Sequence, residues 1–233
     1  TMFQMIVTMC WVAAGAPAAD NVPPWAGNQV GISDEVLAPW TPVQAAGNEV
    51  RVWGRAYRFD GPALPASVVA RDAELLAGPI TLTGSGDGKK LAWTNASCRV
   101  VQSKPNVAEL AARAESAGIT CEGKIAVEYD GMIRCDLKLV PKAPKAAIDQ
   151  LALEIPLRDQ PALFLHTWPG SWGTAANSRA LGPKGHVGPF KPFVWLGDHA
   201  RGLGWFAESD RNFSVEPSDR VLEIRPSGDA VLW

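Results

Sequence analysis

The stretch ITCEGKIAVEYDGMIRCDLKLVP, residues 119–141, decides the fold because it predicts a β-hairpin whose register can be read from its charges. We expect a three-residue loop at residues 129–131, with Gly131 in the left-handed conformation that glycine adopts readily. The resulting pairs are Val127 with Ile133, Ile125 with Cys135 and Cys121 with Leu139 on one side, and Lys124 with Asp136 and Glu122 with Lys138 on the other. Opposite charges directly across a strand pair are stabilising, whereas a two-residue Asp-Gly loop would place Glu122 and Lys124 beside leucines. The longer loop is therefore predicted.

On both sides of this hairpin, short segments with alternating apolar residues recur between glycine and proline turns. The chain has 22 glycines and 19 prolines, and strands separated by turn signals at close spacing are typical of an antiparallel all-β domain. We predict a large antiparallel β-sandwich (supersandwich-like) of about a dozen strands, with room for one short helix. Residues 50–59, VRVWGRAYRF, predict a single strand with Arg55 and Tyr57 on its polar and aromatic face.

Residues 107–117, VAELAARAESA, have two interpretations. Their alanine, leucine and glutamate content favours a helix, and Asn106 with Glu109 fits a capping box. The same residues also alternate between apolar and charged positions, which is typical of a strand. Because a lone helix between strands would need a packing partner of its own, we predict a strand and keep the helix as the alternative.

The domain organisation begins with a predicted secretory signal peptide at residues 1–19. An apolar run at residues 5–14 is followed by GAPAAD, which resembles a small-residue cleavage site, and the run is too short to span a bilayer. The basic opening of a signal is missing, so we expect this signal to be truncated; a buried N-terminal segment is the alternative. Residues 20–46 are expected to be a proline- and tryptophan-rich extended lead-in, and residues 47–233 a β-sandwich domain truncated at its C-terminus. The predicted location is secreted or periplasmic.

Composition argues against several classes of function. A net charge of −2 predicts no polyanion-binding surface, so we expect no nucleic-acid partner. No C-x-x-C spacing occurs and the chain has 3 histidines, so we expect neither a metal site nor a cofactor. Cys98, Cys121 and Cys135 are predicted to be buried free thiols in strands. One disulfide with a leftover thiol is the alternative in an oxidising compartment.

Five motifs spread along most of the chain carry a family resemblance: VWGRAYRF (52–59), ELLAGPITL (74–82), EYDGMIRCDLKLVP (128–141), LALEIPL (151–157) and FVWLGDHARGLGWFAESDR (193–211). In order and spacing they resemble the N-terminal domain of glycoside hydrolase family 123 and its uncharacterised relatives. The resemblance implies a β-sandwich placed before a catalytic TIM barrel, which we expect as a partner domain after residue 233. It also implies a parent β-N-acetylgalactosaminidase, in which the substrate's acetamido group acts as nucleophile with the help of an Asp-Glu pair of the barrel.

No catalytic residue can be transferred from the family to this chain. The adjacent carboxylates Asp34 and Glu35 have the composition of the catalytic pair, but they precede the predicted sandwich. The catalytic role therefore stays with the expected barrel.

Two consecutive stretches combine aromatic rings with hydrogen-bonding groups, as a sugar-binding surface requires. The first is the long Gly/Pro-rich segment 166–192, and the second is the segment 193–211, interpreted as a hairpin with two glycine-bearing turns. Glu208 and Asp210 are expected on one strand face, with Asp198 across from them. The predicted carbohydrate-binding residues are Trp168, Trp172, His166, Asn177, Asp198, Glu208, Asp210 and Arg211. The alternative is that the carboxylates form a solvated ion cluster and the tryptophans fill the core or dock the barrel.

These observations lead to one main hypothesis and two alternatives. The main hypothesis is a non-catalytic β-domain of a secreted glycoside hydrolase that supports the barrel and contacts a glycan, such as one containing N-acetylgalactosamine. The first alternative is a free-standing carbohydrate-binding module. The second is a self-contained glycosidase that uses Asp198, Glu208 or Asp210 as acid and base. No membrane span is expected.

Overall fold

The computed structural model describes residues 4–5, 23, 25–116, 118–144, 148–158, 162–169, 177–213 and 217–232. These residues form strands and one short 3-10 helix, Ser218–Arg220, but no α-helix. The predicted short helix is thus absent from the described part of the chain. The strands, in chain order, are β1 (Gln4–Met5), β2 (Gln44–Ala46), β3 (Glu49–Val52), β4 (Arg55–Arg58), β5 (Ser67–Ala70), β6 (Ala73–Glu74), β7 (Thr81–Gly86), β8 (Lys89–Lys90), β9 (Thr94–Ser103), β10 (Val107–Ser116), β11 (Ile119–Glu128), β12 (Ile133–Pro141), β13 (Ile148–Ile155), β14 (Phe164–Trp168), β15 (Ser178–Ala180), β16 (His186–Gly188), β17 (Phe193–Gly197), β18 (Gly202–Phe206), β19 (Leu222–Ile224) and β20 (Ala230–Leu232).

The strands form four small antiparallel sheets, arranged like the blades of a four-bladed β-propeller. The sheets, in strand order, are β1-β12-β11-β10-β9, β16-β19-β20-β13-β7-β8, β15-β14-β17-β18 and β2-β3-β4-β5-β6. The predicted large β-sandwich is therefore wrong, although the all-β class is right. Tight turns connect many of the strands, so most strands pair with a sequence neighbour in the same small sheet.

The hairpin of β11 and β12 has the predicted register. Its pairs include Val127 with Ile133, Ile125 with Cys135, Cys121 with Leu139, Lys124 with Asp136 and Glu122 with Lys138. Gly131 has a φ of 93°, which confirms the left-handed position in the loop. The Gly131 N–H donates to the Glu128 carbonyl at 2.9 Å and closes the turn.

The ambiguous segment is the strand β10, as predicted. It pairs along its length with β11 on one side and with β9 on the other. Ala108, Leu110, Ala112 and Ala114 are buried, whereas Glu109 and Arg113 on the opposite face are exposed. Hydrogen bonding and burial between two neighbouring strands thus override the helix propensity of the alanines.

Residues 50–59 form a hairpin, so the single predicted strand is wrong. The strands β3 and β4 flank a turn at Trp53 and Gly54, and this hairpin supports the loop of the β11–β12 hairpin. Arg55 Nη1 donates to the Asp130 carbonyl at 2.8 Å, and the Tyr57 hydroxyl donates to the Gly131 carbonyl at 3.0 Å. Both side chains therefore have a structural role at this contact.

The four sheets share one apolar core. Phe59, Leu110, Leu165 and Leu222 come from four different blades or their borders, and each is at most 1% exposed. Each such side chain contributes about 1.5–3 kcal/mol through burial. The shared core packs the blades against one another.

The N-terminal predictions are only partly covered by the described residues. Residues 6–22 of the predicted signal and lead-in lie outside them, while Gln4 and Met5 pair with Lys138 and Leu137. Within the lead-in, Trp40 packs edge-on against Tyr129 with ring centroids 5.8 Å apart. The signal peptide stays a prediction.

Candidate functional site

The sheet β15-β14-β17-β18 presents a row of aromatic rings on one side. The register pairs His166 with Trp195, Trp168 with Phe193, and Phe193 with Phe206, which places these side chains on a common face. We name this surface the aromatic face and define it by Phe164, His166, Trp168, Phe193, Trp195 and Phe206. Its members are half-buried or exposed, with Trp168 37% and Phe206 45% exposed.

The opposite side of the same sheet is part of the core. Leu165, Thr167, Val194 and Leu196 alternate with the aromatic residues along β14 and β17, and all four are buried. The sheet therefore has one dry side and one side that reaches the surface.

Glycines beneath the aromatic face give the Trp195 indole its position. A Cβ at Gly202 would lie 2.7 Å from the indole and 2.6 Å from the Leu196 carbonyl oxygen. A Cβ at Gly197 would also meet the indole, and would lie 2.7 Å from the Arg201 carbonyl oxygen. The ring therefore lies directly over the backbone of these two glycines, where any side chain would displace it. At Gly204 a Cβ would have ordinary contacts, the nearest being Phe193 at 3.7 Å.

Polar groups lie within the aromatic face and at its border. His166 Nδ1 is 2.7 Å from Ser178 Oγ, and its ring packs against Phe193 with centroids 5.9 Å apart. The exposed His199 packs edge-on against Phe164 at 4.9 Å. Imidazole and hydroxyl groups thus lie next to flat apolar rings, which is the combination that a sugar-binding surface needs.

The structure brings together only part of the predicted site. His166 and Trp168 belong to the aromatic face, whereas Trp172 lies outside the described residues. Asn177 is 2% exposed, and its carbonyl accepts a hydrogen bond from the Thr167 N–H at 2.9 Å. It supports β14 from within the structure.

Asp198 stabilises the turn between β17 and β18. Its Oδ1 accepts hydrogen bonds from the Ala200 N–H at 2.6 Å and the Arg201 N–H at 2.8 Å. These backbone hydrogen bonds, followed by the positive charges of Arg201 and His199, lower the pKa of the Asp198 carboxyl. The two glycine-bearing turns predicted here reduce to this one, since Gly202 and Gly204 lie within β18.

The predicted position of Asp198 across from Glu208 is wrong. Five residue pairs, from Gly197 with Gly202 to Phe193 with Phe206, separate the turn from the other end of the hairpin. At about 3.4 Å per residue, the two carboxylates are roughly 20 Å apart. Glu208, Asp210 and Arg211 also lie beyond the end of β18, where all three are exposed.

Glu208 lies at the border of a cavity of about 440 Å³ beside the edge strand β18. The cavity extends between β18, the start of β12 and the strand β4. Its deep walls are apolar and include Leu64, Leu75 and Leu153, whereas Arg55 and Asp130 lie near its opening with Glu208. This cavity adjoins the aromatic face, because Phe206 contributes to both.

Neither a metal-binding cluster nor a membrane-spanning helix occurs in the described part of the chain. The described residues contain no group of three or more histidine, cysteine or acidic residues placed to hold a metal ion. They also form no helix with the length and apolar character needed to cross a membrane.

Comparison with known proteins identifies a domain of a glycoside hydrolase. Residues 43–208 match the family model described as glycoside hydrolase 123, third domain. The chain belongs to this family, which confirms the resemblance to family 123; the matching description is the third domain, whereas the motifs predicted the N-terminal one. No curated protein matches the chain. The match includes the whole aromatic face but ends before Asp210 and Arg211.

The predicted site contains Trp168 and Trp172 but not the central aromatic residues Phe193 and Trp195. Phe193 and Trp195 were visible as alternating aromatics, but the same pattern fits a core strand. The signal that distinguishes Trp195 is the pair of glycines at residues 197 and 202, which only the strand register places beneath its ring.

Proposed function

We propose that this chain is a non-catalytic β-domain of a secreted glycoside hydrolase and that its aromatic face contacts the glycan. The observation that carries the proposal is the Trp195 indole, seated on Gly197 and Gly202 at a part-exposed position. A flat ring held in this way offers one face to the C–H groups of a pyranose. Ligand sites commonly combine such apolar surface with a few polar groups.

The positions of the carboxylates support a non-catalytic role. Glycosidases that use two carboxylates hold them about 5–5.5 Å or about 6.5–9.5 Å apart. Asp198 and Glu208 lie at opposite ends of a hairpin, and Asp198 already accepts two backbone hydrogen bonds. These distances count against a self-contained glycosidase that pairs Asp198 with Glu208 or Asp210.

The parent protein in this proposal is a β-N-acetylgalactosaminidase-like enzyme whose catalytic barrel belongs to the same polypeptide. Membership of a glycoside hydrolase family supports the enzyme class. The secreted or periplasmic location rests on the signal-like sequence of residues 1–19. A free-standing carbohydrate-binding module would use the same aromatic face, and a catalytic barrel encoded in frame with this domain would count against it.

The proposed glycan contact is tested by titrating the full chain with N-acetylgalactosamine-containing oligosaccharides by calorimetry. Trp195→Ala should weaken binding at least about tenfold, equivalent to about 1.4 kcal/mol. Trp53→Ala is the matched control, because Trp53 is 48% exposed in the β3–β4 turn and does not belong to the aromatic face. Equal affinities of the wild type and Trp195→Ala would refute the contact.

Catalysis is tested separately with an aryl N-acetylgalactosaminide. We expect the chain alone to release no aryl product. Hydrolysis that is lost in Glu208→Gln would overturn the non-catalytic assignment without affecting the test of glycan binding.

A further inference from the structure

The cavity beside β18 lies where all four sheets meet, since Leu153 of β13 also lines it. β18 is the last strand of its sheet, and β4 and β12 reach the cavity from two other sheets. Leu64, Leu75 and Leu153 contribute to its depth and are each less than 8% exposed. The cavity of about 440 Å³ is thus a gap in the shared core that opens to the surface.

The charged residues that line the cavity are exposed or half-buried, namely Arg55, Glu128, Asp130, Arg134 and Glu208. Two of them are engaged in other contacts. Arg55 donates to the Asp130 carbonyl, and Arg134 pairs with Asp136 at 3.3 Å. The deeper Tyr57 hydroxyl donates to the Gly131 carbonyl, and burial raises the pKa of Tyr57 to about 12. The deep part of the cavity therefore offers no charged partner to an ionised ligand, which would lose its hydration there.

We propose that this cavity binds a neutral, largely apolar small molecule, or the apolar group of a larger one, about the size of one or two aromatic rings. Its volume lies within the range of about 300–1,000 Å³ typical of small-molecule sites. Water is a poor occupant, because an ordered water needs two to four polar partners that the leucine-lined depth does not provide. A hydroxyl or amide on the ligand would remain at the opening, near the exposed Glu208.

The cavity is distinct from the aromatic face, although Phe206 lines both. The Trp195 side chain does not line the cavity, whereas Leu203 and Met132 do. Leu203 lies on the inner side of β18, and Met132 is 36% exposed next to the β11–β12 loop. These positions allow the two surfaces to be tested independently.

The test uses N-phenyl-1-naphthylamine, a neutral apolar fluorophore, titrated into the full chain at neutral pH. We expect saturable binding with one probe per chain. Leu203→Phe, which narrows the cavity, and Met132→Trp, which blocks its opening, should each weaken binding about tenfold or more, whereas Trp195→Ala should leave it unchanged. Val101→Trp is the control, because Val101 is 49% exposed on β9 and does not line the cavity.

Near-UV circular dichroism shows whether the wild type and each variant keep a packed fold. This control is needed because loosely packed states also bind such dyes. If Leu203→Phe does not fold, Met132→Trp at its half-exposed position still gives the answer. Unsaturable binding, or an unchanged affinity in a folded Met132→Trp variant, would overturn the proposal. A loss of binding in Trp195→Ala with none in Met132→Trp would place the probe on the aromatic face and would overturn it equally.

Discussion

The two sides of the sheet β15-β14-β17-β18 differ although they are built from the same strands. On β17, Leu196 is 3% exposed in the core, whereas its neighbour Trp195 is part-exposed over glycine backbone. Both are large apolar residues, so hydrophobicity does not separate them. Strand alternation assigns the sides, and the atoms beneath each residue differ. Leu196 packs among side chains and stabilises the fold, whereas the Trp195 ring rests on glycines and is, in our proposal, the one that contacts the glycan.

The difference between the two sides is tested most strongly by truncating Leu196 and Trp195 one at a time. Leu196→Ala should cost about 2–5 kcal/mol of unfolding free energy, because it leaves a cavity in the core. Trp195→Ala should cost only about 1 kcal/mol. Chemical denaturation of both variants measures the difference, with glycan titration in parallel. Equal losses of stability would show that Trp195 is a core residue and would contradict the difference between the two sides of the sheet.

The second test places a methyl group beneath the indole. Gly202→Ala should destabilise the chain by about 1–3 kcal/mol and weaken glycan binding, because its Cβ would lie 2.7 Å from the Trp195 ring. Gly204→Ala is the matched control on the same strand, where the nearest ring atom is 3.7 Å away. Combining Gly202→Ala with Trp195→Ala should recover part of the lost stability, since one of the two clashes disappears. If the stability losses of the two single variants simply add in the double variant, the Trp195 ring does not stack on Gly202.

The third test concerns the turn between β17 and β18, which holds these two strands in register. Asp198→Ala removes both hydrogen bonds to the Ala200 and Arg201 N–H groups and should lower Tm at pH 7. Asp198→Asn keeps an acceptor oxygen and should lower it less.

The pH dependence of this effect follows from the lowered pKa of Asp198. A carboxyl with a lower pKa in the folded state stabilises the protein above the pKa of its unfolded state. That contribution is lost as the pH falls through the folded-state value. The Tm difference between wild type and Asp198→Ala should therefore shrink on acidification, and a constant difference from pH 7 to pH 2 would contradict it.

The smallest expected effect concerns the reactivity of three thiols on the packed side of another sheet, β1-β12-β11-β10-β9. Burial raises the pKa of Cys98 to about 11, and burial with nearby carboxylates raises the pKa of Cys121 and Cys135 to about 12. Few thiolates form at pH 8, so all three should react slowly with Ellman's reagent in a Cys10→Ser background. In denaturant, three thiols per chain should react at once. Rapid reaction of the native protein would show that this side opens to solvent.

Sequence by itself determined the all-β class and much of the local pairing. The β11–β12 register followed from opposite charges at facing positions and a glycine in the loop, because these are contacts between residues close in sequence. The family also followed from five short motifs, and residues 43–208 confirm it.

Only the tertiary structure decided how the sheets assemble and which aromatics are available. Alternation along a strand is the same in a sandwich and in a propeller, so it could not predict four small sheets around one core. For the same reason it could not place Trp195 over Gly202, which is its neighbour only through the pairing of β17 with β18. Contacts between strands fix both features, and a pattern read along one strand carries no information about them.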